Sequence, residues 1–382
     1  MVETVQVKPA LLTWAIERSG VDSDEIFGAF PRLPLWLSQK AHPTRRQLES
    51  FARKTLTPFG YFYLPTPPAE PLPLPDFRTK GNEHLRRPSP NLLDTLYMLQ
   101  ARQAWMSEHL KESGRSPVRF GPLTANLDDP VKTAVAMRNA IGLTGGWAQK
   151  VPSWEAAVDS LRDAVQTVGI FIVANSVVGN NVYRKLDPEE FRGFVLSDEF
   201  APMVFLNGAD AKSAQMFTLA HELAHLWVKR PGIFDLPRFR TNNSTIERFC
   251  NRVAAEFLVP ASELREVWPI ARRQQEPFKY LARHFKVSPT VAALRAADLS
   301  LVERGIFDAI FDESQKAERK KSSRSGGGDF YNTQNIRVGK RFARLVMEAA
   351  KSGRLLFKDA YRLTGLYGET FDRYARRLGV TF

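Results

Sequence analysis

The segment "FTLAHELAHLW", residues 217–227, carries two of the chain's six histidines, His221 and His225, with Glu222 between them. Its neighbours Leu219, Ala220, Leu223, Ala224 and Leu226 are apolar helix formers, so the spacing predicts a semi-buried helix. On a helix, positions four apart share a face, and both imidazoles can aim one ring nitrogen at a single ion. Zinc accepts neutral imidazole. Glu222 lies about 100° further round the helix, where it can stand beside a metal-bound water without ligating the metal. Zinc lowers the pKa of such a water, and a carboxylate placed there takes its proton as general base. Two imidazoles and a carboxylate buried without a metal would leave polar groups to satisfy. A chance HExxH is expected on the order of 0.006 times in a chain of this kind, so the motif is specific.

A catalytic zinc takes three protein ligands and keeps one position open. No third histidine follows at short spacing, since positions 228 and 231 are Val228 and Pro231. The next helical stretch, "STIERFCNRVAAEFLVP" (244–260), offers a carboxylate instead. At about 100° per residue, Ile246, Phe249, Cys250, Val253 and Phe257 form one apolar stripe. Glu247, Asn251, Ala254 and Leu258 form a neighbouring stripe, and Arg248, Arg252 and Ala255 face outward. A carboxylate on a stripe shared with Ala254 and Leu258 is buried and needs a cation, either zinc or an arginine. Glu256, on the flank nearer Arg252, and Asp235, in a Pro/Gly-flanked loop, are alternatives.

The chain has 382 residues, enough for two or three domains, with 43% hydrophobic and 25% charged residues. No apolar run reaches 18 residues and the N-terminus lacks a signal core, so a cytoplasmic protein without a membrane span is expected. The single cysteine, Cys250, excludes an intrachain disulfide. The net charge of +13 is uneven: residues 316–382 hold 16 Lys/Arg against 6 Asp/Glu. Such asymmetry marks an interaction tail.

Five segments are expected. Residues 1–64 read as short helices with tight connections, a helix-turn-helix-like unit in which Asp22 or Ser23 caps the second helix. Residues 65–80 form a Pro-rich linker. Residues 81–315 form the main domain, with strands at "IFIVAN" (170–175), "FRGFVLSD" (191–198) and "PMVFLNG" (202–208). Asp210 is placed to cap the helix of the opening segment, which Lys229-Arg230 and Pro231-Gly232 close. Residues 316–330 are a charged Ser/Gly linker, and residues 331–382 a basic helical tail. The fold class is α+β, mainly helical, with a small sheet packed on the HExxH helix.

"FTLAHELAHLW" followed by "IERFCNRVAAEFLVP" resembles the ImmA/IrrE family of bacterial metallopeptidases. Members pair HExxH with a helix of the form E-x-x-x-N-x-x-A-A-x-x-L-x-P, here Glu247, Asn251, Ala254, Ala255, Leu258 and Pro260. The resemblance covers roughly residues 150–270. It implies a zincin-like domain with zinc ligands His221, His225 and Glu247 and with Glu222 as base. "PTRRQLESFARKTLTPFGYFYLPTPP" (43–68) resembles the end of the Xre-type helix-turn-helix found in many members, although Pro31 and Pro34 fall near its turn and reading helix. Residues 1–64 carry 8 Lys/Arg and 6 Asp/Glu, little charge for a DNA backbone, which leaves a dimerisation or docking role equally open. The tail is similar to extensions of members encoded beside PIN-like ribonuclease toxins. That implies Arg337, Lys340, Arg341 and Arg344 as contacts to an acidic toxin site, with direct nucleic-acid binding as the rival.

Two functions follow. The first is a zinc endopeptidase acting on one regulatory protein by zinc-bound water attack, with "PMVFLNG" as an exposed edge that aligns the substrate. Tyr183, Arg184 and Arg192 are its candidate transition-state donors. The second is an antitoxin or transcriptional regulator in which the peptidase domain is a scaffold or metal-dependent switch.

Overall fold

A computed structural model describes residues 3–70, 88–121, 129–228, 233–234, 245–320 and 329–382. The chain divides into two compact units, Met1–Tyr97 and Met98–Phe382.

The first unit holds α1 (Pro9–Ser19), α2 (Ser23–Ala29), α3 (Leu33–Leu37), α4 (Arg45–Lys54) and a 3₁₀ turn at Phe59–Tyr63. Gly20 closes α1 in the left-handed region at φ 65°, which costs a glycine little. Asp22 caps α2 by accepting from Asp24 N at 2.8 Å. Thr44 and Gln47 cap α4 reciprocally. Leu11, Leu12, Ile26, Trp36, Leu48 and Phe51 form the core. The helix that would read DNA in a helix-turn-helix, α3, has only five residues. The start of the Pro-rich segment belongs to this unit. Glu70 accepts from Arg18 Nε at 2.6 Å and Nη2 at 2.9 Å, and Arg18 Nη1 donates to Leu56 O at 2.8 Å. Residues 71–80 of the expected linker lie outside the described residues.

The division falls within α5 (Pro90–Glu112), which α6 (Pro130–Ala140) and α7 (Trp154–Thr167) follow. A four-stranded sheet has the order β1 (Phe171–Asn175), β5 (Met203–Asn207), β4 (Gly193–Leu196), β6 (Ile233–Phe234). β1 runs parallel to β5, and β4 runs antiparallel to both β5 and β6. A separate hairpin pairs β2 (Val177–Val178) with β3 (Asn181–Lys185). The strand expected as an exposed edge, "PMVFLNG", is β5, which is central and buried along its whole length. Its unbroken apolar run is the pattern of a strand covered on both faces.

α8 (Lys212–Trp227) lies on this sheet. Its Met216, Leu219, Ala220 and Leu223 join Ile172, Val195, Val204 and Leu206 and the α7 residues Val158, Leu161 and Val165 in one core. Its cap is Ala211, not Asp210, and makes no side-chain bond. Asp210 instead accepts from Arg192 Nη1 at 2.7 Å. The expected stop at 229–232 lies outside the described residues. α9 (Thr245–Leu258) packs against both α8 and α6. This second cover explains why Ala255, expected to face outward, is buried. Four helices follow: α10 (Ala261–Ala271), α11 (Pro277–Phe285), α12 (Pro289–Asp298) and α13 (Arg304–Lys320). Residues 321–328 of the expected Ser/Gly linker are not described.

The basic C-terminal segment comprises α14 (Phe330–Gln334), a π turn at Asn335–Gly339, α15 (Lys340–Lys351), α16 (Phe357–Thr364) and α17 (Gly368–Arg377). It is no detached tail but part of the second unit. Arg102 on α5, 2% exposed, donates from Nε to Leu363 O at 2.8 Å and from Nη1 to Arg337 O at 3.2 Å. Asn180 donates to Gly365 O at 2.9 Å and accepts from Gln334 at 2.9 Å. The Arg341 guanidinium lies 4.9 Å from the Phe171 ring centroid.

Burial lowers the pKa of Arg102 to about 10, so its guanidinium remains the donor at neutral pH. Arg102→Met keeps the bulk and removes both bonds, leaving two carbonyls without their donor. The expected loss of stability is about 1–3 kcal/mol, with faster amide exchange in α16. Unchanged exchange there would show that this clamp does not hold the C-terminal segment.

Candidate metal centre

The middle of α8 is buried on all sides: His221 and Glu222 are 0% exposed and His225 is 1% exposed. Apolar neighbours at every helical angle make this stretch of α8 an interior helix rather than an amphipathic one. Its two imidazoles turn toward α9, with Nε2 of His225 3.0 Å from Nε2 of His221. Glu247, in the first turn of α9, completes the group. Its Oε2 is 3.2 Å from His221 Nε2 and its Oε1 is 3.1 Å from His225 Nε2. Bonds of about 2.0–2.1 Å in tetrahedral geometry place donor atoms about 3.3 Å apart. These separations therefore suit one ion with two nitrogens and a carboxylate as ligands. Among the described residues this is the group of histidines and acids that can hold a metal.

The electrostatics agree with that donor set at Glu247 and His221, while the His225 ring is shifted toward its protonated form. Burial pushes the Glu247 carboxyl up, but hydrogen bonds and charge from His221 and His225 hold it well below the usual carboxylate range. Burial drives the His221 pKa down, favouring the neutral imidazole that binds metal. For His225, burial also lowers the pKa, but Cys250 and Glu247 outweigh it.

Glu222 lies outside the convergent trio. Both of its carboxylate oxygens are buried without a hydrogen-bond partner, a costly arrangement in an apolar interior. Burial raises its pKa to about 8. Above it runs β4, and Gly193 is what lets the strand come so close. A Cβ at Gly193 would stand 2.6 Å from Thr218 Cγ2, 2.8 Å from Phe205 O and 3.6 Å from Glu222 Cγ. Gly193 is the site residue that sequence reasoning missed. A lone glycine at the start of a buried strand was its only signal.

The other candidates are placed as follows. Glu256 pairs with Arg295 and accepts from Ala261 N at 3.2 Å, so it is committed elsewhere. Asp235 lies outside the described residues. Arg192 is paired with Asp210, Tyr183 is 93% exposed on the hairpin, and Arg184 is half-buried beside it. The Arg337 carbonyl is bound by Arg102, Arg341 lies over Phe171, Arg344 pairs with Glu348 at 2.9 Å, and Lys340 is exposed.

A carboxyl whose pKa is raised in the folded protein binds its proton more tightly there than in the unfolded chain. Metal-free stability should therefore fall as pH rises from about 4.5 toward 8, by up to about 1.4 kcal/mol per unit. Glu222→Gln removes this titration. In thermal melts with chelator present, the variant's advantage should grow from pH 5 to pH 8. Parallel curves for the two proteins would contradict the burial of an unpartnered carboxyl.

Two family models match the chain. Residues 165–297, roughly a third of its length, match Peptidase_M78, the IrrE N-terminal-like domain. Residues 338–377 match a domain of unknown function, DUF8813. No curated protein matches. The first span contains β1, β4, β5, α8 and α9, and the match supports a peptidase domain of the ImmA/IrrE family in this part of the chain.

Proposed function

We propose that the protein is a zinc-dependent endopeptidase acting on a specific intracellular regulatory protein, with His221, His225 and Glu247 as ligands and Glu222 as general base. One observation carries this: a buried His-His-Glu group converges beside a second buried carboxylate, Glu222, that has no partner. A bound zinc would supply a Lewis acid for the substrate carbonyl and lower the pKa of the attacking water. Glu222 takes the proton from that water and returns it to the departing amine. Its two unpartnered oxygens leave lone pairs available for that proton. As ligands, Glu247 would contribute negative charge, and His221 and His225, each without its Nε2 proton, would contribute lone pairs.

Three preparations of the full chain test this. The wild type should hold one zinc, His221→Ala should lose it, and Glu222→Gln should keep it. Cleavage by Glu222→Gln should fall by about 10²–10⁴-fold. A wild type without stoichiometric zinc, or His221→Ala with unchanged metal content, would remove the proposal.

The charge asymmetry of residues 316–382 favours a second function, neutralisation of a PIN-like ribonuclease through basic side chains. Because the C-terminal helices belong to the second unit, charge reversal tests this more cleanly than deletion. Lys340→Glu with Arg344→Glu should weaken co-purification with a co-expressed nuclease at least tenfold. Undiminished co-purification would exclude those residues as the contact.

A further inference from the structure

Each histidine of the group presents Nε2 to the shared centre. A ring that gives its Nε2 lone pair to a metal carries its proton on Nδ1, and inside a protein that N–H needs an acceptor. The acceptors have to come from whatever packs behind the rings. α9 is that element. Cys250 and Asn251 stand three and four residues beyond Glu247, hence on the same helical face and one turn deeper. The Cys250 side chain is fully buried and lies beside His225. Asn251 stands beside His221, and its buried Oδ1 makes no hydrogen bond.

We propose that α9 supplies the outer shell of the centre as well as one ligand: when the centre is loaded, Asn251 Oδ1 turns to accept Nδ1–H of His221, and the Cys250 sulfur accepts Nδ1–H of His225. Both are positioning residues. They fix the tautomer that leaves Nε2 free, hold each ring in its plane, and make the ligand nitrogen more basic. The sulfur stays out of the inner sphere, since the donor atoms that converge within 4.8 Å belong to His221, His225 and Glu247. A thiol is a weaker acceptor than an amide oxygen, so Asn251 contributes more than Cys250. One helix thereby couples three features of the centre, and a rotation of α9 would disturb all of them together.

This assignment rests on the metal reading, and its test separates the two. Zinc affinity of the full chain is measured by chelator competition for the wild type, Asn251→Ala, Asn251→Asp, Cys250→Ala and Cys250→Ser. Asn251→Ala should lose about 10–100-fold in affinity, and Cys250→Ala less. Asn251→Asp and Cys250→Ser, which keep an acceptor, should recover most of the loss. In zinc-loaded wild type with ¹⁵N-labelled histidine, long-range ¹H–¹⁵N spectra should show His221 and His225 protonated at Nδ1. This spectrum decides the matter even where a variant fails to fold. Affinities of the alanine variants within twofold of wild type, or either ring protonated at Nε2, overturn the proposal. A wild type that binds no zinc removes the metal centre itself, and the outer shell with it.

Discussion

The carboxylate of Glu247 lies buried between two imidazoles, 3.2 Å from one and 3.1 Å from the other. A buried carboxylate is tolerated only where positive charge or hydrogen-bond donors surround it. This contact joins α8 to α9. The rest of the second unit presses the two helices together there. The sheet and α7 cover one side of α8, α9 covers another, and α6 covers α9. Gly193 lets β4 approach α8 until its backbone overlies Glu222. The centre is therefore held by packing on three sides, before any metal binds.

Glu222 shows the opposite economy. Its two oxygens are buried with nothing to bind, and its proton is held far more tightly than a surface glutamate holds one. Stability alone would favour glutamine or an apolar residue here. A base that must accept and release a proton within one turnover needs those lone pairs free and a pKa nearer neutrality. Strain of this sort gathers at functional sites, and here it sits directly next to His221, whose Nε2 faces Glu247.

Much of this centre could be read from local spacing. His221 and His225 share a face because they are four apart, and Glu247 was favoured because it shares a stripe with Ala254 and Leu258. The strands around "IFIVAN", "FRGFVLSD" and "PMVFLNG" were also legible, as runs too apolar to be exposed. Strand order was not, because pairing is set by contacts far apart in the chain. That is why β5 was expected at an edge and found at the centre. The C-terminal helices misled for the same reason. Charge counting marks them as a tail, but Arg102 reaches a carbonyl 261 residues away to hold them in place. Nothing in the local sequence announces such a contact. Asp210 is a simpler case: a capping residue by position, taken instead by a buried arginine.

The central claim is that α8 and α9 together hold one metal ion through two imidazoles and a carboxylate, with the cysteine of α9 outside its inner sphere. X-ray absorption at the zinc edge of the purified full-length protein tests this most directly. The account predicts one zinc per chain with a shell of nitrogen and oxygen only, at about 2.0–2.2 Å, including two imidazoles. A sulfur scatterer at about 2.3 Å, or the absence of bound zinc, would contradict it.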